Sequence, residues 1–222
     1  MPLRRFARKA MPAMQLPPIT ALLMGCASVL LAACQPAAPT PPAEPPLAGA
    51  RIGGPFALTA MDGTRVDATS FPGQYRLIYF GYSFCPDVCP VDLQWLMAGL
   101  RRAEAQDRAR AARVQPLFIT LDPARDTPEV LRRYTAAFHP RLIGLRGSDA
   151  QTADAAAKFL VQYRKVAGAT PGSYLVAHTQ LAYLMAPDGK PLALIPLDDI
   201  RTPDINEGAP DLVARDILRW VH

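Results

Sequence analysis

The sequence predicts an α/β fold, a central mixed sheet flanked by helices, and three observations carry that reading. Apolar, strand-like runs alternate with helix-like segments along residues 51–222. Two cysteines, Cys85 and Cys89, stand at a strand-to-helix junction. A hairpin and an amphipathic helix come late in the chain. A reactive pair at such a junction, followed by that ending, points to a thioredoxin-like architecture. The periodicity by itself fits other α/β folds equally well.

Taken in order, Phe56 to Asp67 reads as a short hairpin around Asp62-Gly63. Arg76 to Tyr82 is an apolar, aromatic strand, and a helix to about residue 108 follows the cysteines. Leu93, Leu96, Met97 and Leu100 share one face of that helix, with arginines crowding the rest. Val114 to Leu121 is a second strand. Thr127-Pro128-Glu129 opens a further helix, Thr127 as cap and Pro128 in the first turn. Leu142 to Leu145 is a short strand, and Ser148-Asp149-Ala150-Gln151 has capping-box spacing for a helix reaching about Tyr163. Leu181 to Met185 and Leu192 to Leu197 read as paired strands around Pro187-Asp188-Gly189. The last helix uses Leu212, Ile217, Leu218 and Val221.

Residues 1–33 read as a secretory signal of lipoprotein type: Arg4, Arg5, Arg8 and Lys9, then an apolar stretch, then small residues before Cys34. The run from Ile19 to Cys34 is 16 residues, short of the roughly 20 that span a bilayer. Leu31-Ala32-Ala33-Cys34 resembles a lipobox, in which the cysteine is lipidated after cleavage; an uncleaved anchor is the alternative. Either way the domain is expected outside the cytoplasm, in a bacterial periplasm, and held at a membrane. Without the leader the formal charge falls from +5 to about +1, which excludes an electrostatic case for nucleic acid. Residues 34–50, with six prolines, are expected to be an extended spacer, and residues 51–222 the folded domain.

Cysteine arithmetic then narrows the chemistry. Cys26 leaves with the signal and Cys34 carries lipid, so Cys85 and Cys89 are the thiols of the domain. In an oxidising compartment such a pair cross-links to itself or holds a metal. Pro90 fits the first helical turn, placing Cys89 near the cap and Cys85 in the preceding turn, where the helix N-terminus favours thiolates. Thiolates serve metal binding and disulfide exchange alike. Three intervening residues differ from the two of dedicated thioredoxin-type exchangers, and structural zinc wants four protein ligands. Two thiolates and an imidazole suit Cu(I), or Cu(II) with a further water or carboxylate; Asp87 is not expected to be that carboxylate. A purely structural disulfide over so short a loop constrains the unfolded chain little.

Of three histidines, His222 is terminal and His139 follows a helix end, where a capping or solvated role is expected. His178, in Tyr174-Leu175-Val176-Ala177-His178-Thr179, reads by itself as a core histidine. Its place just before the late hairpin, a region that faces the reactive turn in thioredoxin-like folds, makes it a candidate third ligand.

Three segments together resemble the Sco/SenC family of membrane-tethered copper proteins that take part in cytochrome c oxidase assembly. They are Gly81 to Pro90, Phe118 to Pro128, and the stretch with His178, Thr179, Tyr183, Leu184, Pro187, Asp188 and Gly189. The resemblance implies one copper ion per domain on Cys85, Cys89 and His178. It implies delivery to the binuclear copper centre of an oxidase subunit or another extracytoplasmic copper protein. The alternative is a thiol-disulfide reductase that keeps acceptor cysteines reduced, using Cys85 and Cys89. Asp122, Arg125 and Asp126 are read as turn and cap chemistry. Where the family usually carries aspartate before the metal histidine, this chain has Ala177.

Overall fold

A computed structural model describes residues 44–197 and 208–222. The leader, Cys26, Cys34 and the spacer as far as residue 43 lie outside the described residues. So do residues 198–207. The described residues belong to one compact unit, Glu44–His222.

Strands β1 (Ala57–Ala60), β2 (Arg65–Asp67), β3 (Tyr75–Gly81), β4 (Val114–Thr120), β5 (Ile143–Arg146), β8 (Ala182–Met185) and β9 (Pro191–Ile195) form one sheet in the order β2-β1-β5-β4-β3-β8-β9. β3, β4 and β5 run parallel to one another, while β5–β1, β1–β2, β3–β8 and β8–β9 pair antiparallel. The sheet is thus mixed, as its sequence pattern predicts. All seven residues of β3 are buried, which requires cover on both faces. That cover comes from helices α1 (Val88–Gln106), α2 (Arg108–Ala111), α3 (Pro128–Ala136), α4 (Asp149–Lys158) and α5 (Pro210–Trp220). The architecture is thioredoxin-like.

Local chemistry explains most of these boundaries. Thr127 Oγ1 accepts from Val130 N–H at the start of α3, with Pro128 in the first turn. Ser148 and Gln151 complete a reciprocal capping box on α4. Leu93, Leu96, Met97 and Leu100 are buried on one face of α1. α1 packs closely on α5 because residue 99 is glycine: a Cβ there would lie 2.3 Å from Val213 Cγ1.

Four readings change. α4 stops at Lys158 rather than near Tyr163. Leu160 takes a left-handed φ of 57°, and Val161 N–H turns back to Ala156 O, a C-terminal stop of the αL kind without the usual glycine. The released chain forms strand β6 (Tyr163–Ala167), paired antiparallel with β7 (Tyr174–His178) in a separate two-stranded sheet. The polar run Tyr163-Arg164-Lys165 hid β6 from pattern reading, since this hairpin buries little of either strand. The compact unit begins at Glu44, inside the expected spacer: Leu47 N–H donates to Leu192 O, which ties this segment to β9. Finally, the last helix buries the expected Ile217 and, at its C-cap, Val221, but its other buried residues include Val213, Ala214 and Trp220, with Leu212 and Leu218 only half-buried. Among the described residues no helix is long and apolar enough to cross a membrane.

Candidate metal centre

β3 delivers the chain through Tyr82 to the loop that carries Cys85, and α1 begins at Val88 with Cys89 in its first turn. Asp87 occupies the N-cap but makes no side-chain capping bond. The Cys85 sulfur takes that role, accepting the N–H of Cys89 at 3.5 Å. A helix N-terminus offers unpaired donors and partial positive charge, so an anionic sulfur is at home there. Cys85 is half-buried and Cys89 fully buried, both as free thiols. Gly81 lies directly behind them: a Cβ at that position would sit 3.2 Å from Cys89 Sγ.

The hairpin β6–β7 brings in the third residue. His178, the last residue of β7, places Nε2 3.3 Å from Cys89 Sγ across 89 residues of sequence. Its Nδ1 lies 2.9 Å from the carbonyl oxygen of Thr179. A carbonyl only accepts, so Nδ1 carries a hydrogen, and in the neutral tautomer the lone pair then lies on Nε2, the atom that faces Cys89 Sγ. The rings of Tyr79 and Tyr82 stand edge-on to the imidazole at 6.5 and 6.2 Å. Ala177 is exposed and pairs with Arg164 of β6.

The two thiols differ. The Cys89 thiol donates to Cys85; with the Cys89 and Asp87 N–H groups and the Tyr82 hydroxyl it outweighs burial and brings Cys85 down to about 5. The same bond, reinforced by burial and by the Cys85 charge, pushes Cys89 up. We expect iodoacetamide to modify Cys85 alone in the metal-free folded chain, with a rate that climbs through about pH 5 and is flat by pH 7. Mass mapping of adducts against pH checks this; equal labelling of both cysteines with a midpoint above pH 8 would contradict it.

His139 differs from its expected role. It is buried at 3 % exposure, its Nδ1 accepts from Arg141 N–H, and its Nε2 lies 3.5 Å from Glu104 Oε2. Burial lowers its pKa. Its backbone N–H still caps α3 by donating to Thr135 O. His222 is exposed at the end of the chain. Neither lies in the cysteine cluster.

Sequence reasoning missed three buried carboxylates around the pair. Asp92, the residue three after Cys89, accepts from Tyr79 O–H at 2.7 Å and from Gln180 Nε2 at 3.0 Å. Asp126 accepts from the Ser83 N–H at 3.1 Å and from the hydroxyls of Ser83 and Thr120. Asp122 accepts from Arg125 and from Tyr174 O–H. Asp122 and Asp126 are therefore long-range clamps rather than only turn and cap residues. Three charges within five residues were the available signal, because carboxylates are seldom fully buried unless paired; their partners lie 43 and 52 residues away.

Among the described residues no three His, Cys, Asp or Glu side chains stand at closed metal-holding geometry. The donor set nevertheless suits a soft ion: two sulfurs, one of them favoured as thiolate, and an imidazole nitrogen whose tautomer is fixed by a carbonyl.

The model of the SCO1/SenC family matches residues 44–208. The chain belongs to the SCO1/SenC family. A relative is the mitochondrial protein SCO2 of Saccharomyces cerevisiae, 39 % identical over 140 residues, covering 63 % of this chain and 46 % of the relative. The chain thus spans about half the length of such curated relatives. Among solved structures, Bradyrhizobium japonicum ScoI with copper bound matches at 38 % identity and TM-score 0.65, covering 77 % of this chain and 99 % of that one. Yeast Sco1 with copper bound matches at 35 % identity and TM-score 0.64, covering 76 % and 87 %. Family membership and fold accord with the resemblance read from the three sequence segments.

Proposed function

We propose that this member of the SCO1/SenC family binds one copper ion through Cys85, Cys89 and His178. We further propose that it passes the ion to the binuclear copper centre of cytochrome c oxidase or a similar extracytoplasmic acceptor. The observation that carries the reading is the approach of His178 Nε2 to Cys89 Sγ at 3.3 Å, beside Cys85 at the helix N-terminus. Copper-bound structures of two relatives support it. Two thiolates and an imidazole form a soft, low-coordinate ligand set that holds Cu(I) and releases it by ligand exchange. Cys85 is the partly exposed sulfur, so an incoming acceptor thiolate reaches it first. Cys89 and His178 hold the ion from the buried side.

Delivery requires placement near the acceptor. The leader over residues 1–33, a lipid on Cys34 and a spacer that lifts the domain from the membrane supply it in a bacterial periplasm. Labelling with a fatty-acid analogue, lost in Cys34→Ala, tests the anchor.

Anaerobic Cu(I) titration of the reduced chain against a chromogenic chelator is expected to end at one equivalent. His178→Ala is expected to weaken binding by about 10- to 100-fold, roughly 1.4–2.8 kcal/mol. An unchanged affinity in that variant removes the three-ligand centre.

The unequal thiols favour one second reading, reduction of acceptor cysteines. Cys85 thiolate would attack an acceptor disulfide, releasing one acceptor thiolate and forming a mixed disulfide. Cys89 would then attack the Cys85 sulfur, leaving Cys85–Cys89 oxidised and the acceptor dithiol reduced. Reduction of a model disulfide by metal-free chain, indifferent to His178→Ala, would select this reading.

A further inference from the structure

His178 sits at the end of an arm. Among the described residues β6 and β7 pair only with each other, so the main sheet ladder does not fix their position. One feature binds the other end of this arm to the loops that carry the cysteines. Tyr174, the first residue of β7, opposes Ala167 in the hairpin. The Arg125 guanidinium lies 3.8 Å above the Tyr174 ring, and its Nη1 donates to the Tyr174 carbonyl at 3.0 Å. On its other sides Arg125 faces the rings of Phe84 at 5.0 Å and Tyr82 at 5.8 Å, both in the cysteine loop. Lys165 of β6 adds a second cation to the Tyr174 ring at 4.8 Å.

Asp122 holds this arginine in place. Its carboxylate is fully buried, pairs with Arg125 Nε at 2.5 Å and accepts from Tyr174 O–H at 2.9 Å. Arg125 Nη2 is buried without a hydrogen-bond partner among the described residues, and aromatic faces surround the guanidinium in place of further acceptors. A planar cation stacks on such rings in a way an ammonium does not. One residue thus touches β7, the cysteine loop and the start of the β4–α3 connection.

We propose that Arg125, held by Asp122, is a positioning residue that latches the histidine-bearing hairpin to the cysteine loop and so sets the distance between His178 and the two sulfurs. This rests on the copper reading for its consequence: with the latch closed the imidazole completes the site, and with it open the two sulfurs alone hold the ion. Release to an acceptor is then favoured by whatever displaces Arg125 from Tyr174 and Phe84. Phe84 is 48 % exposed, which puts one wall of the latch within reach of a docking protein.

The test uses the full chain with Arg125→Met/Asp122→Asn, a pair chosen so that no buried charge is left alone. Tyr174→Phe, which removes only the hydroxyl bond to Asp122, is the milder second variant. In metal-free protein, amide exchange over residues 163–178 is expected to quicken about tenfold in the double variant and less in Tyr174→Phe, with β3 and β4 unchanged. Cu(I) affinity is expected to fall about 10- to 100-fold, to the level of His178→Ala, with no further loss when His178→Ala is added. X-ray absorption is expected to show the nitrogen scatterer lost and both sulfurs kept, and Arg125→Lys to restore less than half of the affinity. Unchanged exchange over 163–178, or a loss additive with His178→Ala, overturns the latch. A wild-type affinity indifferent to His178 overturns the copper reading instead, while the exchange result still decides whether Arg125 holds the hairpin.

Discussion

Cys89→Ser is expected to weaken Cu(I) binding by at least about a thousandfold, roughly 4 kcal/mol, while the chain still folds. The asymmetry has a physical basis. Cu(I) prefers thiolate over hydroxyl oxygen because it is a soft ion, and Cys89 is the sulfur that lies 3.3 Å from His178 Nε2 while its thiol bonds Cys85. Folding suffers far less. Cys89 is fully buried, so a serine hydroxyl there costs about 1–3 kcal/mol unless it finds a partner. His178 Nε2 offers one at hydrogen-bond range. Chelator competition for Cu(I), alongside urea denaturation of metal-free protein, separates the two effects. Near-normal Cu(I) affinity in this variant would remove Cys89 from the centre.

Asp126→Ala is expected to destabilise the fold by about 3–5 kcal/mol, because it removes the shared acceptor of several donors and each orphaned donor costs roughly 1–3 kcal/mol, less where water reaches it. Asp126 is 0 % exposed and takes three donors: the Ser83 N–H, the Ser83 hydroxyl and the Thr120 hydroxyl. Alanine leaves the buried Thr120 hydroxyl and the two half-buried Ser83 donors without this acceptor, and the desolvation cost is largest at Thr120. Ser83 stands two residues before Cys85, so the same change frees the cysteine loop from β4. We therefore expect Asp126→Ala to lower Cu(I) affinity as well as the denaturation midpoint. Asp126→Asn keeps one acceptor oxygen and should lose less of both. A stability loss under about 1 kcal/mol would show that the clamp is replaced by other partners.

These two residues illustrate what could and could not be read from the chain. The cysteine pair was legible because strand, turn and helix start are local. An apolar run ends at Gly81, and Pro90 fits a first helical turn, so Cys85 and Cys89 must share that junction. Helix starts at Thr127 and Ser148 were legible for the same reason, their caps closing within three residues. Asp126 was not. Its sequence neighbours suggest a turn, whereas its partners come from two other strand ends. Strand β6 was not legible either, because its pairing with β7 needs no apolar alternation when little of the hairpin is buried.

By itself, the sequence determined the α/β alternation, the place of the two sulfurs at a helix N-terminus, and the three segments that mark the SCO1/SenC family. Only the tertiary structure decided that His178 meets Cys89, that Thr179 fixes its tautomer, and that Asp122, Arg125 and Asp126 hold the loops around them. The reason is range. Caps and turns close over a few residues, and their chemistry is written where they occur. A contact across 89 residues depends on every strand and hairpin between its ends being placed first.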